Sequence, residues 1–465
     1  MSYQHSTQKR FWMFENSRQV SERFEEINKK AGDYLTVEEN QMIVDYYAKQ
    51  MSVIRKKTGM PFNVLFTCLL LYKHFYITQS AQLFHPKHIM IACLCLGRKL
   101  EEFRFEGEDS VTIRYMCNLI VDSGALKMDK NEMCSIAIIY EIVIMEVLHF
   151  QIGKFNAADG FQGFMEAMVL WKKVDNESKM EGEGQDKGEN IFMRKFFETK
   201  NEVSSYQPEY LADALSFLKL VYLSDAPFLY SPSIIALATH YDQTKKDEEF
   251  ENEFKQFVSN LEKEKNVDIP ITTLEAVINL AQEVVEVTSA AVKPVFVKLN
   301  KITKLSLVAC SDVDYMSVVN KANGKFTVME SSVVKWHTTD KAVYQVWCPL
   351  GPVRADRMSP LRQLPRFMFV QCVVLTIVFD ASSKKSFEDF KGWIGIAERI
   401  GTPRVVVIGI HSEEKSPVTQ EELKSALTSL MSNSLYLEYL GWNNTTSTFQ
   451  DYLNVVQRVL SKKFN

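Results

Sequence analysis

Four absences narrow the reading of this chain before any motif is considered. No apolar run approaches the roughly 18 residues that a membrane-spanning helix requires. The opening Met1-Ser2-Tyr3-Gln4-His5 carries no secretory apolar region, so the protein is expected in the cytosol or nucleus. The eight cysteines (Cys68, Cys93, Cys95, Cys117, Cys134, Cys310, Cys348, Cys372) are spread out, without a C-x-x-C pair or histidines at zinc spacing, and read as reduced, mostly buried thiols. A net charge of -4 over 465 residues leaves no basic footprint, so direct nucleic-acid binding is not expected. A catalytic constellation is missing too. His85 and His88 lie three apart near one helix start, but no third ligand accompanies them, so capping or packing is expected rather than a metal, and no cofactor is expected anywhere.

What is present reads as helix for the first three hundred residues. At 465 residues the chain suits two to four domains. Thr36-Val37-Glu38-Glu39 has the form of a capping box, and the helix it opens should stop near Gly59-Met60-Pro61. A buried helix follows from Val64 to Tyr76, then one opened by Pro86 and closed by Lys99-Leu100-Glu101-Glu102, then one from Ser135 to Phe150. That last helix is apolar on nearly every face yet carries Glu141. A buried carboxylate needs a partner, and Lys99 is the natural candidate. Glu101 and Glu102, at a helix end, are expected to bond a partner's backbone or stay solvated. Pro86-x-x-Ile89-x-x-Ala92 returns as Pro232-x-x-Ile235-x-x-Ala238, which points to a duplicated architecture. Asp175 to Asn190 is rich in Glu, Lys and Gly and reads as a mobile insertion. Asp247 to Lys265 reads as an amphipathic helix, and a last helix is expected from Thr272 to near Val287.

The stretches Leu71-Tyr72-Lys73-His74-Phe75-Tyr76, His85-Pro86 and Leu96-Gly97-Arg98-Lys99-Leu100-Glu101-Glu102-Phe103 resemble the first cyclin box, in particular that of cyclin H-type cyclins. Ser6-Thr7-Gln8-Lys9-Arg10-Phe11-Trp12-Met13-Phe14 resembles the amino terminus peculiar to that type, and Leu229-Tyr230-Ser231-Pro232-Ser233 is similar to its second repeat. The resemblance covers residues 1–290. It implies an all-α double cyclin box of two five-helix bundles: an N-terminal segment 1–35, a first box 36–155 and a second box 156–290 with its insertion at 175–190. It also implies kinase-binding roles for Lys99, Glu141, Glu102, Phe103 and Trp12. Where cyclin H usually has alanine and cysteine before the lysine, this chain has Gly97 and Arg98, a local alteration of the motif.

After a linker at 291–302 the periodicity changes. Short β-rich runs, Leu305–Val308, Val343–Val346, Val373–Phe379 and Arg404–Gly409, alternate with helices and indicate an α/β doubly wound domain over 303–465. Phe379-Asp380-Ala381-Ser382-Ser383-Lys384-Lys385-Ser386-Phe387 followed by Trp393 resembles the fourth strand and following helix of Ras-like GTPases. The phosphate-binding parts of such a GTPase are missing. Ala309 to Met316 puts Tyr315 and Met316 where a P-loop has lysine and hydroxyl, with Asp312 and Asp314 beside them. Cys348-Pro349-Leu350-Gly351 stands for D-x-x-G and Ile410-His411-Ser412-Glu413 for N-K-x-D. Nucleotide hydrolysis is therefore not expected. Together with Trp336-His337-Thr338-Thr339-Asp340-Lys341, this half resembles the pseudo-GTPase domain of alpha- and gamma-adaptin-binding chaperones.

Two functions are thus in view. The resemblance of the first half implies a nuclear, non-catalytic regulatory cyclin of a CDK-activating kinase, acting on other cyclin-dependent kinases and the RNA polymerase II tail, with a RING-containing assembly subunit and general transcription factor H as partners. The alternative is a cytoplasmic adaptor or assembly chaperone for clathrin adaptor subunits, working through 303–465 with the helical part as scaffold.

Overall fold

In the computed structural model the described residues are 3–32, 34–108, 111–152, 155–180, 208–310, 313–328, 332–340, 342–349, 368–369, 371–400, 404–411, 420–430 and 435–462. They divide into two compact units: Met1–Ile27 with Val37–Val292, and Asn28–Thr36 with Lys293–Asn465. The division differs from the sequence expectation at two places. Residues 28–36 belong with the second unit, and the expected linker 291–302 is mostly helical, since a helix covers Ser289–Asn300.

The first unit is helical. Short α1 (Thr7–Trp12) and α2 (Ser17–Ala31) precede five helices, α3 (Val37–Thr58), α4 (Phe62–Tyr76), α5 (Pro86–Leu100), α6 (Ile113–Asp122) and α7 (Lys130–Val147). Gly59, at φ +73°, ends α3 in a left-handed conformation that a side chain would resist. Every residue of α4 from Val64 to Tyr76 is buried, so this helix is the core against which α3 and α5 pack. Pro86 opens α5 behind an N-cap from His85, whose Nδ1 accepts the Lys87 amide at 3.2 Å. Helix α7 starts a turn earlier than expected, because Asp129 caps it by accepting the Asn131 and Glu132 amides.

A second set follows: α8 (Ala157–Met180), α9 (Pro208–Leu223), α10 (Ala226–Leu229), α11 (Pro232–Thr244), α12 (Glu248–Lys265) and α13 (Ile271–Gln282). Proline opens α11 as it opens α5, and Ala238 and Ala92 are both fully buried at the matching turn. Of the expected mobile insertion 175–190, residues 175–180 continue α8 and are helical, and 181–190 lie outside the described residues. Helix α13 stops at Gln282, short of Val287. Phe66 of α4 stacks on Tyr222 of α9 at 4.6 Å, and Lys73 donates to the Leu223 carbonyl at 3.2 Å, so both helix sets share one core.

The second unit is built on a seven-stranded sheet of order β2-β3-β4-β1-β5-β6-β7. The strands are β1 (Ile302–Ala309), β2 (Phe326–Val328), β3 (Ser332–Thr338), β4 (Val343–Pro349), β5 (Val374–Asp380), β6 (Arg404–Ile410) and β7 (Tyr436–Trp442). Strands β2, β3 and β4 pair antiparallel in succession, whereas β4-β1-β5-β6-β7 is parallel throughout. Central parallel strands are covered on both faces, which is why β5 and β6 read as continuous apolar runs. Helix α14 (Ser289–Asn300) precedes β1; after it come the single turn α15 (Met316–Val319), α16 (Lys384–Ile400), α17 (Gln420–Leu430) and α18 (Phe449–Ser461). Tyr452, Leu453, Val456 and Val459 of α18 close one face of the sheet. Segment 28–36 packs on β3: the Trp336 indole donates to the Ala31 carbonyl at 2.9 Å, and Tyr34 donates to the Lys298 carbonyl at 3.0 Å.

Candidate partner-binding face

The last turn of α5 and the middle of α7 meet through one ion pair. Lys99 Nζ lies 2.8 Å from both Oε1 and Oε2 of Glu141. Their side chains are 34% and 14% exposed, so both charges are held in place and still reachable from outside. Apolar side chains flank the pair: Ile138 is 52% exposed, and Ile139 and Leu100 are exposed as well. The helix period of α7 explains this. Met133, Ala137, Tyr140 and Ile144 point into the core, leaving Ile138, Ile139 and the Glu141 edge on the outer side.

Directly after Lys99 the chain turns sharply. The Phe103 amide donates to the Arg98 carbonyl at 3.2 Å and the Glu102 amide to the Lys99 carbonyl at 3.1 Å, the paired bonds of a Schellman stop. Glu102 occupies its left-handed position at φ +50°, where glycine is usual, and its side chain is exposed. Phe103 is half-buried, edge-on to Phe105 at 4.9 Å. Glu101 is not part of the outer face: it accepts from Thr67 Oγ1 at 2.5 Å and Asn63 Nδ2 at 3.2 Å and so ties α5 to α4.

Trp12 departs from the expected role. It is 6% exposed and stacks on His74 of α4 at 4.8 Å, so its ring area is spent on the chain's own core and a kinase could not reach it. The segment around it is similarly turned inward, with Gln8 accepting the Phe155 amide and the Phe14 amide donating to the Phe228 carbonyl. Its exposed neighbour is Phe11.

Sequence reasoning passed over Arg98 as an alteration of the motif. The structure makes it a central group: its side chain is 1% exposed and its guanidinium grips Glu108, itself 4% exposed, through bonds of 2.8 and 3.1 Å. Burial pushes the Glu108 carboxyl up, but the Arg98 bonds and the Thr112 and Phe105 amides outweigh it and hold the group below the usual range. The departure at 97–98 was the available signal; the partner ten residues on, in a polar connection, carried none.

His85 caps α5, His88 stacks on Tyr140 at 5.6 Å, and no group of three metal-binding side chains exists among the described residues. Burial lowers His85 to about 4.

In the second unit, residues 311 and 312, directly after β1 and Cys310, lie outside the described residues. The Tyr315 hydroxyl donates to the Pro349 carbonyl, and the helix that follows is one turn long. Asp312, Leu350, Gly351, Ser412 and Glu413 lie outside the described residues. His411 pairs with the Tyr439 hydroxyl at 2.8 Å. Trp336, which carries the adaptin-chaperone resemblance, is 5% exposed.

No protein-family model matches the chain. Among curated proteins it is similar to cyclin-H of Xenopus laevis, 25% identical over 253 residues that cover 50% of this chain and 66% of that protein. It is also similar to cyclin-H1-1 of Arabidopsis thaliana, 22% identical over 205 residues covering 44% and 49%. The chain thus spans about half to two thirds of the length of the curated relatives it matches. Among solved structures, a chain of the CAK complex of Chaetomium thermophilum bound to ATP-gamma-S aligns with a TM-score of 0.45 at 16% identity, covering 64% of this chain and 88% of that one.

Proposed function

We propose that this chain is a cyclin H-like cyclin that binds a cyclin-dependent kinase through the end of α5 and the outer edge of α7. The observation that carries the reading is the Lys99–Glu141 pair, doubly bonded yet partly exposed and set among uncovered Ile138, Ile139 and Leu100. Buried charges are normally enclosed; a pair left at the surface beside apolar side chains has the make-up of an interface centre, where charge fixes register and apolar area supplies affinity. Similarity to cyclin H proteins over the first half of the chain supports the same reading.

The finer reading follows by chemistry. Lys99 can donate to carbonyl oxygens of a partner helix and Glu141 can accept from its amides, with Glu102 and Phe103 beside them. Holding the kinase αC helix in this way shifts the kinase toward the state in which its αC glutamate pairs with the ATP-binding lysine. The cyclin supplies no catalytic group. On this reading the complex phosphorylates other cyclin-dependent kinases and the polymerase II tail, works with a RING-containing subunit and general transcription factor H, and is nuclear. Residues 303–465 form a nucleotide-free Ras-like accessory domain, a reading supported by the strand order, the Tyr315–Pro349 closure and the one-turn α15.

The test is co-elution and kinase activation by the full chain with a CDK-activating-type kinase, beside Lys99→Ala/Glu141→Ala. Activation by the wild type and its loss in the double variant is the expected result. No binding by the wild type overturns the reading and moves the search to the sheet-based unit and clathrin adaptor subunits.

A further inference from the structure

We propose that the buried Arg98–Glu108 pair is a positioning clamp for the partner face: it holds the Lys99–Glu102 turn in the shape that α5 presents, and so sets partner affinity without touching the partner. This rests on the cyclin reading above. Arg98 precedes Lys99 by one residue and points inward where Lys99 points outward. Its Nη1 donates to Glu108 Oε2 at 2.8 Å; its Nη2 donates to Glu108 Oε1 at 3.1 Å and to the Thr112 carbonyl at 2.6 Å. Phe105 and Tyr115 place their rings 5.6 and 5.9 Å from the guanidinium carbon. Glu108 in turn accepts the Phe105 amide at 3.3 Å and the Thr112 amide at 3.2 Å.

One ion pair thereby joins three pieces of chain: the last turn of α5, residues 103–108, and Thr112, the N-cap of α6. The Arg98 carbonyl also accepts the Phe103 amide, so the residue that is clamped is the one on which the Glu102 turn closes. The backbone beneath has no slack. A Cβ on Gly97 would stand 2.5 Å from Cys68 Sγ, so α5 already touches α4 at this turn. A buried ion pair contributes little net stability against an apolar replacement, but a two-pronged guanidinium–carboxylate contact specifies geometry strongly. A clamp next to Lys99 is where such specification reaches the partner.

Full-length chains carrying Glu108→Gln or Arg98→Lys, each with and without Lys99→Ala, test this. The first readout is amide hydrogen exchange over 99–112, together with the ¹⁵N signal of the Lys99 ammonium, whose Nζ lies 2.8 Å from both Glu141 oxygens. Glu108→Gln is expected to speed exchange there by about tenfold or more while α9 to α13 stay protected, and to broaden the Lys99 signal. The second readout is affinity for a CDK-activating-type kinase, expected to fall about tenfold, with the loss disappearing in the Lys99→Ala background because both changes act through one group. Unchanged exchange and an unchanged Lys99 signal overturn the clamp whether or not a kinase binds. An affinity loss that persists in the Lys99→Ala background overturns the positioning role. Absence of kinase binding by the wild type overturns the cyclin reading, separately from the exchange result. Should Glu108→Gln fail to fold, Arg98→Lys, which keeps the buried charge and loses the two-pronged contact, gives the same readouts.

Discussion

The end of α5 and the end of β1 treat polar groups in opposite ways. At Lys99–Glu141 two charges are doubly bonded to each other but left partly in solvent, with isoleucines uncovered beside them. At Tyr315 the hydroxyl is turned onto the Pro349 carbonyl, and the helix behind it ends after one turn. On the proposed reading, the accessible charges are the ones a partner meets, and the Tyr315 hydroxyl serves the fold itself.

Breaking the first side should give the largest effect. Lys99→Ala or Glu141→Ala is expected to weaken kinase association by roughly 2 to 4 kcal/mol, because the remaining charge is desolvated on binding without its partner. Titration calorimetry checks this, and an unchanged affinity in either variant removes the pair from the interface. The chain's own folding stability should move by less than about 1 kcal/mol, since the pair is partly exposed.

The second unit can be broken through its borrowed segment. Gly32 sits at φ +116°, and a Cβ there would lie 2.8 Å from Trp336 Nε1. Gly32→Ala should therefore destabilise this unit by about 3 kcal/mol, read as an earlier near-ultraviolet unfolding transition while α3 to α13 unfold as before. Unfolding of both units together would mean that they do not melt independently.

An acid titration probes the helical unit. Burial holds His85 and His240 near pKa 4, the latter between Tyr210 and the Phe161 carbonyl, 2.9 Å from each. Their unfolded value is about 6.5, so as pH falls the unfolded chain takes up protons first. The stability they contribute is whole above about pH 6.5 and is lost as pH falls toward 4, at most about 3 kcal/mol for each. Asp45, lifted by burial to about 6 against the opposing charge of Lys73, acts in the reverse sense over pH 6 to 4 and offsets part of that loss. Urea unfolding at pH 7 and pH 4.5 should show a smaller difference for His240→Gln than for the wild type. An equal difference would detach His240 from the acid response.

Glu102→Gly sharpens the reading of the α5 turn. Relief of a left-handed side-chain residue at a Schellman stop should raise stability by about 1 kcal/mol, visible as a higher urea midpoint. Kinase affinity should fall slightly if the exposed carboxylate meets the partner. The smallest expected effect is none: magnesium-GTP should produce no heat on titration into the full chain, and a saturable signal would place a nucleotide site where Tyr315 now closes the fold.

Local chemistry was enough for much of this. The Thr36–Glu39 pattern, Pro86, Pro232 and the amphipathic period of 247–265 are local signals, so helices α3, α5, α11 and α12 could be placed from the chain alone. The apolar runs of β1, β4, β5 and β6 gave the parallel core in the same way. Lys99 and Glu141 were also legible, because a carboxylate on an apolar helix demands a cation and the helix-closing lysine is that cation.

Other features depend on distance in space. The resemblance gave Trp12 a kinase-binding role, but the stack on His74 buries it. Residues 28–36 read as a prelude to the first helix, yet the indole of Trp336, some three hundred residues later, needs the Ala31 carbonyl as its acceptor. Arg98 looked like a substituted motif position, and nothing local to Glu108 marked it as the partner. Pairing in a dry site is worth the desolvation only when geometry brings both together, and that geometry is set by the packing of α5 against α4 at Gly97. Periodicity, caps and an unmatched charge are local and the amino-acid sequence determined them; which long-range partner satisfies a buried polar group was decided by the tertiary structure.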